Sequence, residues 1–168
     1  LPLVTQVISE QFNVYHTGVF LLDARKETAI LRAANSEGGQ SMLARKHALL
    51  VGQTGIVGFV TATGQPRIAL DVGAEAVFFE NPHLPHTRSE MALPLVVNDE
   101  AIGALTVQST EEAAFHDEDI AALQTMADQL AIASMGCQPA SVVTSIGITA
   151  DPMQEFIAVD GEAIDGQA

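Results

Sequence analysis

The run Gly18-Val19-Phe20-Leu21-Leu22 constrains the fold of this chain more than any other stretch. It is continuously apolar, too short for a buried helix and rich in strand formers, so residues 17–23 read as a strand buried on both faces. A strand without a polar face belongs in the centre of its sheet. Residues 24–27 supply a polar turn, and residues 28–34 return as a second strand. There Ile30 and Arg32 are expected to point one way, and Leu31 and Ala33 the other.

The other elements follow from periodicity and punctuation. Residues 1–12 place Leu1, Val4, Ile8 and Phe12 at helical spacing, with Leu3 and Val7 beside them and Gln6, Ser9 and Glu10 turned away. Residues 37–46 read as a short helix carrying Met42 and Leu43, and residues 47–51 as a short extended piece. Gly55-Ile56-Val57-Gly58-Phe59-Val60 reads as a helix, with Thr54 as its cap and Gly64 before Pro66 as its stop. Gly55 and Gly58 leave a side-chain-poor stripe that suits either close helix packing or a ligand. Residues 66–72 could form a short strand, and residues 73–89 a long loop with little periodicity. Met91 to Val97 and Ala101 to Val107 flank a turn at Asn98-Asp99 and make a second hairpin, in which Pro94 points to an edge or a bulge. Asp117-Glu118-Asp119 opens a last helix, whose Ile120, Leu123, Ala127 and Leu130 recur three and four apart. Gly136 and Pro139 should end it. Residues 136–168 form an acidic tail with Asp151, Glu155, Asp160, Glu162 and Asp165 against no Lys or Arg, and it takes no assignment.

Composition excludes several classes of function. Apolar residues make up 48% of the 168 residues and charged ones 17%, enough for one full core and not the pattern of a disordered chain. A net charge of −14 repels nucleic acid. No apolar run reaches the ~18 residues of a membrane span, and no export signal is legible, so a soluble cytoplasmic protein without membrane contact is expected. The single cysteine, Cys137, cannot form an internal disulfide or a two-thiol redox couple. The opening Leu1-Pro2-Leu3 lacks an initiator Met and suggests a segment of something longer.

Catalytic signatures are not legible. His83-Leu84-Pro85-His86, with Glu80 and Glu90 nearby, offers two imidazoles but no third ligand fixed by spacing, and reads as a polar surface loop. No nucleophile elbow, Cys-His context or phosphate-binding glycine loop occurs. No metal, cofactor or catalytic residue is therefore expected. What remains is a candidate small-molecule pocket. Its candidate residues are Phe78, Phe79, Asn81, Arg88, Ser89 and Glu90 in the long loop, with Gly55 and Gly58 beside them.

Taken in order, Tyr15-His16-Thr17-Gly18-Val19-Phe20-Leu21-Leu22-Asp23, Gly55-Ile56-Val57-Gly58, Arg88-Ser89-Glu90-Met91-Ala92-Leu93-Pro94-Leu95, Ile102-Gly103-Ala104-Leu105 and Phe115-His116-Asp117-Glu118-Asp119-Ile120 resemble a GAF domain over residues 1–135. The likeness is to those of bacterial multi-sensor histidine kinases. It implies an α+β, PAS/profilin-like fold, with an antiparallel sheet of five or six strands between helix layers and a ligand cavity between sheet, helix and long loop. It also implies a sensory or dimerising module rather than an enzyme. Gln108-Ser109 stands where cyclic-nucleotide-binding members carry Asn-Lys, and Ile120 replaces their Glu. The position of Cys137 does not suit bilin attachment, and one cysteine does not suit members that reduce free methionine sulfoxide. The expectation is a non-catalytic sensor in which an unknown small cytosolic ligand shifts a homodimer equilibrium. Leu1, Val4, Ile8, Ile120, Leu123, Ala127 and Leu130 form the candidate dimer seam. The alternative is a structural dimerisation module with a collapsed pocket.

Overall fold

A computed structural model describes residues 1–74 and 80–135. Phe78, Phe79, Gly136, Cys137 and the acidic tail lie outside the described residues. The elements run α1 (Pro2–Phe12), β1 (His16–Leu22), β2 (Thr28–Ala34), α2 (Glu37–Ala44), β3 (Ala48–Leu50), α3 (Gly55–Thr63), β4 (Arg67–Ala69), β5 (Ser89–Val97), β6 (Glu100–Ser109) and α4 (Asp117–Ser134). The six strands form one antiparallel sheet in the order β3-β2-β1-β6-β5-β4. Helices α1 and α4 cover one face, and α2 and α3 the other. Among the described residues no helix is long and apolar enough to cross a membrane.

β1 lies in the interior of the sheet and is buried at every residue, as its apolar run requires. Its side chains alternate between two cores. Val19 and Leu21 join Leu93, Leu105, Val107 and Leu123 under α1 and α4, while Phe20 and Leu22 join Met42, Ile56, Val57 and Val60 under α2 and α3. Each fully buried aliphatic side chain of this kind stabilises the fold by ~1.5–3 kcal/mol. The β1–β2 register pairs Val19 with Ala33 but Phe20 with Leu31, so Arg32 bulges out of the ladder. The bulge corrects the simple alternation expected for β2. Leu31 enters the core under α2 and α3, and Ala33 the opposite one.

Gly64 ends α3 in the left-handed conformation at φ 66°, whereas Thr54 stands at its N-cap without a side-chain bond. Asn98 and Asp99 both have positive φ and turn β5 into β6. Pro94 sits beyond the end of β4, where β5 has no second ladder partner, and a bulge follows between Leu95 and Val96. Ser9 does not face away: it is buried with its Oγ 3.0 Å from Thr17 Oγ1, which ties α1 to β1.

The candidate dimer seam turns inward. Ile8, Leu123, Ala127 and Leu130 are buried in this chain's own core, and Leu1, Val4 and Ile120 pack against the same cluster. Helical periodicity identified the stripe that must be covered, and the sheet itself covers it. The apolar side chains left exposed on these helices are others: Leu3 and Val7 on α1, Ile132 near the end of α4, and Met135 just after it.

Candidate functional site

The face of the sheet under α2 and α3 carries a row of polar side chains in otherwise apolar strands. Register aligns Glu90 of β5 with Gln108 of β6, and Gln108 with His16 of β1. One step along, Ala92, Thr106 and Gly18 align, and beyond them Pro94, Ala104 and Phe20. The face thus passes from polar to apolar within three rows. A small cavity of about 30 Å³ lies over the polar end. His16, Glu90, Thr106 and Gln108 form its floor; Met42, Ile56 and Val57 border it from the helices; Asn81, Leu84 and Thr87 reach it from the connection into β5.

Each polar group in the row is held. Glu90 Oε1 accepts hydrogen bonds from Thr106 Oγ1 at 2.9 Å and from Gln108 Nε2 at 3.3 Å. Gln108 Oε1 accepts one from Thr87 Oγ1 at 2.6 Å. Glu90 is only 6% exposed, and among the described residues no Lys or Arg pairs with it. Burial therefore pushes its carboxyl up to about 7, against the pull of its two hydrogen bonds.

His16 sits at the other end of the row, with Nδ1 2.7 Å from Ser36 Oγ. Ser36 caps α2 by accepting from the Gly39 N–H at 3.0 Å, so its own hydrogen is available to Nδ1, which favours the proton on Nε2. Burial lowers the imidazole to about 4, so the ring is neutral at neutral pH. Glycines make room here: a Cβ on Gly39 would stand 3.0 Å from His16 Cε1, and one on Gly38 would overlap the His83 carbonyl. His47 also borders the cavity, and burial first, then the nearby His83, lowers its pKa.

Three of the candidate pocket residues reach the cavity: Asn81, Glu90 and Gly55. Asn81 is fixed by its Nδ2, which donates to Met42 Sδ at 3.0 Å, and by its Oδ1, which accepts from His83 N–H at 3.0 Å. Arg88 does not reach it. Its side chain runs outward to an exposed ion pair with Glu112. Ser89 falls on the opposite face from Glu90 and donates its Oγ to the Glu111 carbonyl at 2.7 Å. Gly58 serves close packing instead, since a Cβ there would stand 2.7 Å from the Leu50 carbonyl oxygen. Among the described residues no three His, Cys, Asp or Glu side chains converge as metal ligands would.

The sequence reading missed His16, Thr87, Thr106 and Gln108. For His16, Thr106 and Gln108 the signal was a polar residue at an inward position of an apolar strand, on two neighbouring strands, and it becomes visible only once strand order and register are known. Thr87 lies in the connection before β5 and carries no such signal.

The model of the GAF domain family matches residues 1–134. Among solved structures, the GAF domain of a phosphoenolpyruvate-protein phosphotransferase from Coxiella burnetii is similar at 25% identity and a TM-score of 0.72, over 82% of this chain and 82% of that one. Free methionine-R-sulfoxide reductase from Neisseria meningitidis, solved in complex with its substrate, is similar at 26% identity and a TM-score of 0.68, over 82% of this chain and 78% of that one. The type II free methionine-R-sulfoxide reductase of Thermoplasma acidophilum shares the fold at 22% identity and a TM-score of 0.66, over 77% of this chain and 86% of that one. No protein of curated function matches the sequence.

Proposed function

The chain belongs to the GAF domain family, and on that footing we propose that it is the non-catalytic sensory module of a bacterial signalling protein, in the setting of a sensor histidine kinase. In this reading the cavity over Glu90, Gln108 and His16 binds a small cytosolic ligand, and binding shifts a homodimer equilibrium. The observation that carries it is the polar row itself. Four buried polar side chains, one of them a carboxyl without a cation among the described residues, stand on a sheet face where apolar side chains would be more stabilising. Such a cost is expected where a ligand is to be recognised. A GAF domain of a phosphotransferase at 25% identity is consistent with a regulatory role.

The reductase relatives raise the enzyme reading, and the cysteine count weighs against it. One thiol cannot serve both as nucleophile and as its resolving partner. A ligand acts as a signal only if its affinity differs between the two states. At about 30 Å³ the cavity holds the space of about two waters at ~10–15 Å³ each. Anything larger than a small head group must displace the segment of Asn81, Leu84 and Thr87, a motion that could be passed on.

That small volume also favours a second reading, a structural dimerisation module with a collapsed pocket. Its surface would be the apolar groove of Leu3, Val7, Met126 and Ala133 between α1 and α4. Native and denaturing mass spectra of the purified chain separate the two. Extra mass lost on denaturation supports the sensor. A dimer without extra mass supports the structural module, and a monomer without extra mass contradicts both.

A further inference from the structure

The hydrogen bonds around Glu90 bear on what kind of group the cavity can receive. Thr106 gives its one hydroxyl hydrogen to Glu90 Oε1, so only its lone pairs remain to be offered. The Gln108 amide gives an N–H to the same carboxylate oxygen, and its Oε1 faces the Thr87 hydroxyl. Thr87 divides its single hydrogen between that oxygen and the Leu84 carbonyl at 3.1 Å. The two hydroxyl hydrogens and one N–H of the Gln108 amide are thus engaged by acceptors at this end of the row, and the Glu90 carboxyl is the group among them that can carry a charge.

The charge is equally one-sided. The titratable groups bordering the cavity are Glu90, His16 and His47; burial lowers the His16 ring to about 4, and burial together with the nearby His83 lowers that of His47. No positive charge among the described residues offsets an ionised Glu90. The available volume, close to that of two waters, equals a nitrogen and one carbon.

We propose that the space beside Glu90 receives the primary ammonium head of a small organic molecule, with the Glu90 carboxylate as counter-ion and the Gln108 and Thr106 oxygens as further acceptors. This rests on the reading of the cavity as a ligand site. The apolar side chains of Phe20, Met42 and Leu49 at the same cavity would then meet the carbon attached to the nitrogen. When the head enters, Glu90 gives up its proton to solvent and pairs with the cation. Binding is therefore stronger at pH 8 than at pH 6, by about tenfold for a carboxyl that titrates near neutrality.

The test titrates the intact chain with methylammonium, methanol and tetramethylammonium at millimolar concentrations, following the side-chain amide resonances of Gln108 and Asn81 by NMR. Methylammonium and methanol match in size and differ in charge; tetramethylammonium has the charge but no N–H and is larger than the space, so it controls for attraction by charge alone. The expected result is a saturable shift with methylammonium alone, at least tenfold weakened in Glu90→Gln and strengthened about tenfold from pH 6 to pH 8. Thr106→Val, which keeps the carboxylate but removes an acceptor and the hydroxyl that donates to Glu90 Oε1, should weaken binding by a smaller factor, and it decides the matter if Glu90→Gln does not fold. If methanol binds as well as methylammonium and the variants change nothing, the ammonium assignment is wrong while the cavity remains a ligand site. If no probe shifts these resonances, the ammonium assignment is wrong, and the ligand site itself is then judged by the mass spectra.

Discussion

Replacing Glu90 by Gln should make the protein more stable, by an amount that depends on pH. Gln keeps an oxygen where Glu90 Oε1 accepts from Thr106 and Gln108, so packing and hydrogen bonding are retained while the ionisable proton is removed. Burial moves the Glu90 carboxyl from 4.5 to about 7. Below the unfolded value the group is protonated in both states and costs nothing. As pH rises towards 7 the unfolded chain loses a proton that the folded chain retains, so stability falls, and above 7 the loss is complete. At ~1.4 kcal/mol for each pH unit separating the two values, the full loss is ~3 kcal/mol. His16 runs the other way: burial holds it at about 4 instead of 6.5, so its contribution rises with pH across that window and masks the Glu90 slope in the native chain. The difference between the variant and the native chain cancels His16, His47 and all other shared groups. Urea unfolding followed by circular dichroism should show this difference widening by ~2–3 kcal/mol from pH 5 to pH 8 in favour of Glu90→Gln. A difference that stays constant across that range would refute the reasoning that burial without a cation raises Glu90.

The mirror experiment is His16→Asn, which should leave a variant whose stability relative to the native chain improves as pH falls from about 6.5 to about 4, read from the same urea curves. Gly103→Ala should cost more than ~2 kcal/mol or prevent folding, because a Cβ there overlaps the Phe20 carbonyl across the β1–β6 ladder; the urea midpoint measures it. Arg88→Ala should change stability by less than ~1 kcal/mol and leave cavity binding intact, since its ion pair with Glu112 is exposed on both sides. A large loss of ligand affinity in Arg88→Ala would return that residue to the pocket.

What was legible in the sequence was local. The bounds of β2 and the turn at Asn98-Asp99 follow from strand periodicity and turn residues that neighbouring positions supply. Gly64 stops α3 because a left-handed terminus suits glycine. The GAF assignment was legible for the same reason, as a series of short local motifs in order. The site was legible only at Asn81, Glu90 and Gly55. Glu90 reaches His16 through Gln108, across strands far apart in sequence, and nothing local to any of the three announces that alignment. The bulge at Arg32, which sends Leu31 and Ala33 to different cores, is likewise a property of the β1–β2 pair. The stripe of Ile8, Leu123, Ala127 and Leu130 was read correctly as apolar and assigned to a second chain, because periodicity states that a stripe is covered and not by what.

The central claim is that this chain recognises a small molecule on the polar row of its sheet. The most direct measurement is a pair of ¹H–¹⁵N correlation spectra of the intact chain, with and without a small-molecule extract of bacterial cytosol. The account predicts perturbations gathered at His16, Glu90, Thr106 and Gln108 and in the segment of Asn81, Leu84 and Thr87, reversed on dialysis. Spectra unchanged by the extract, or perturbations confined to the apolar groove between α1 and α4, would contradict it.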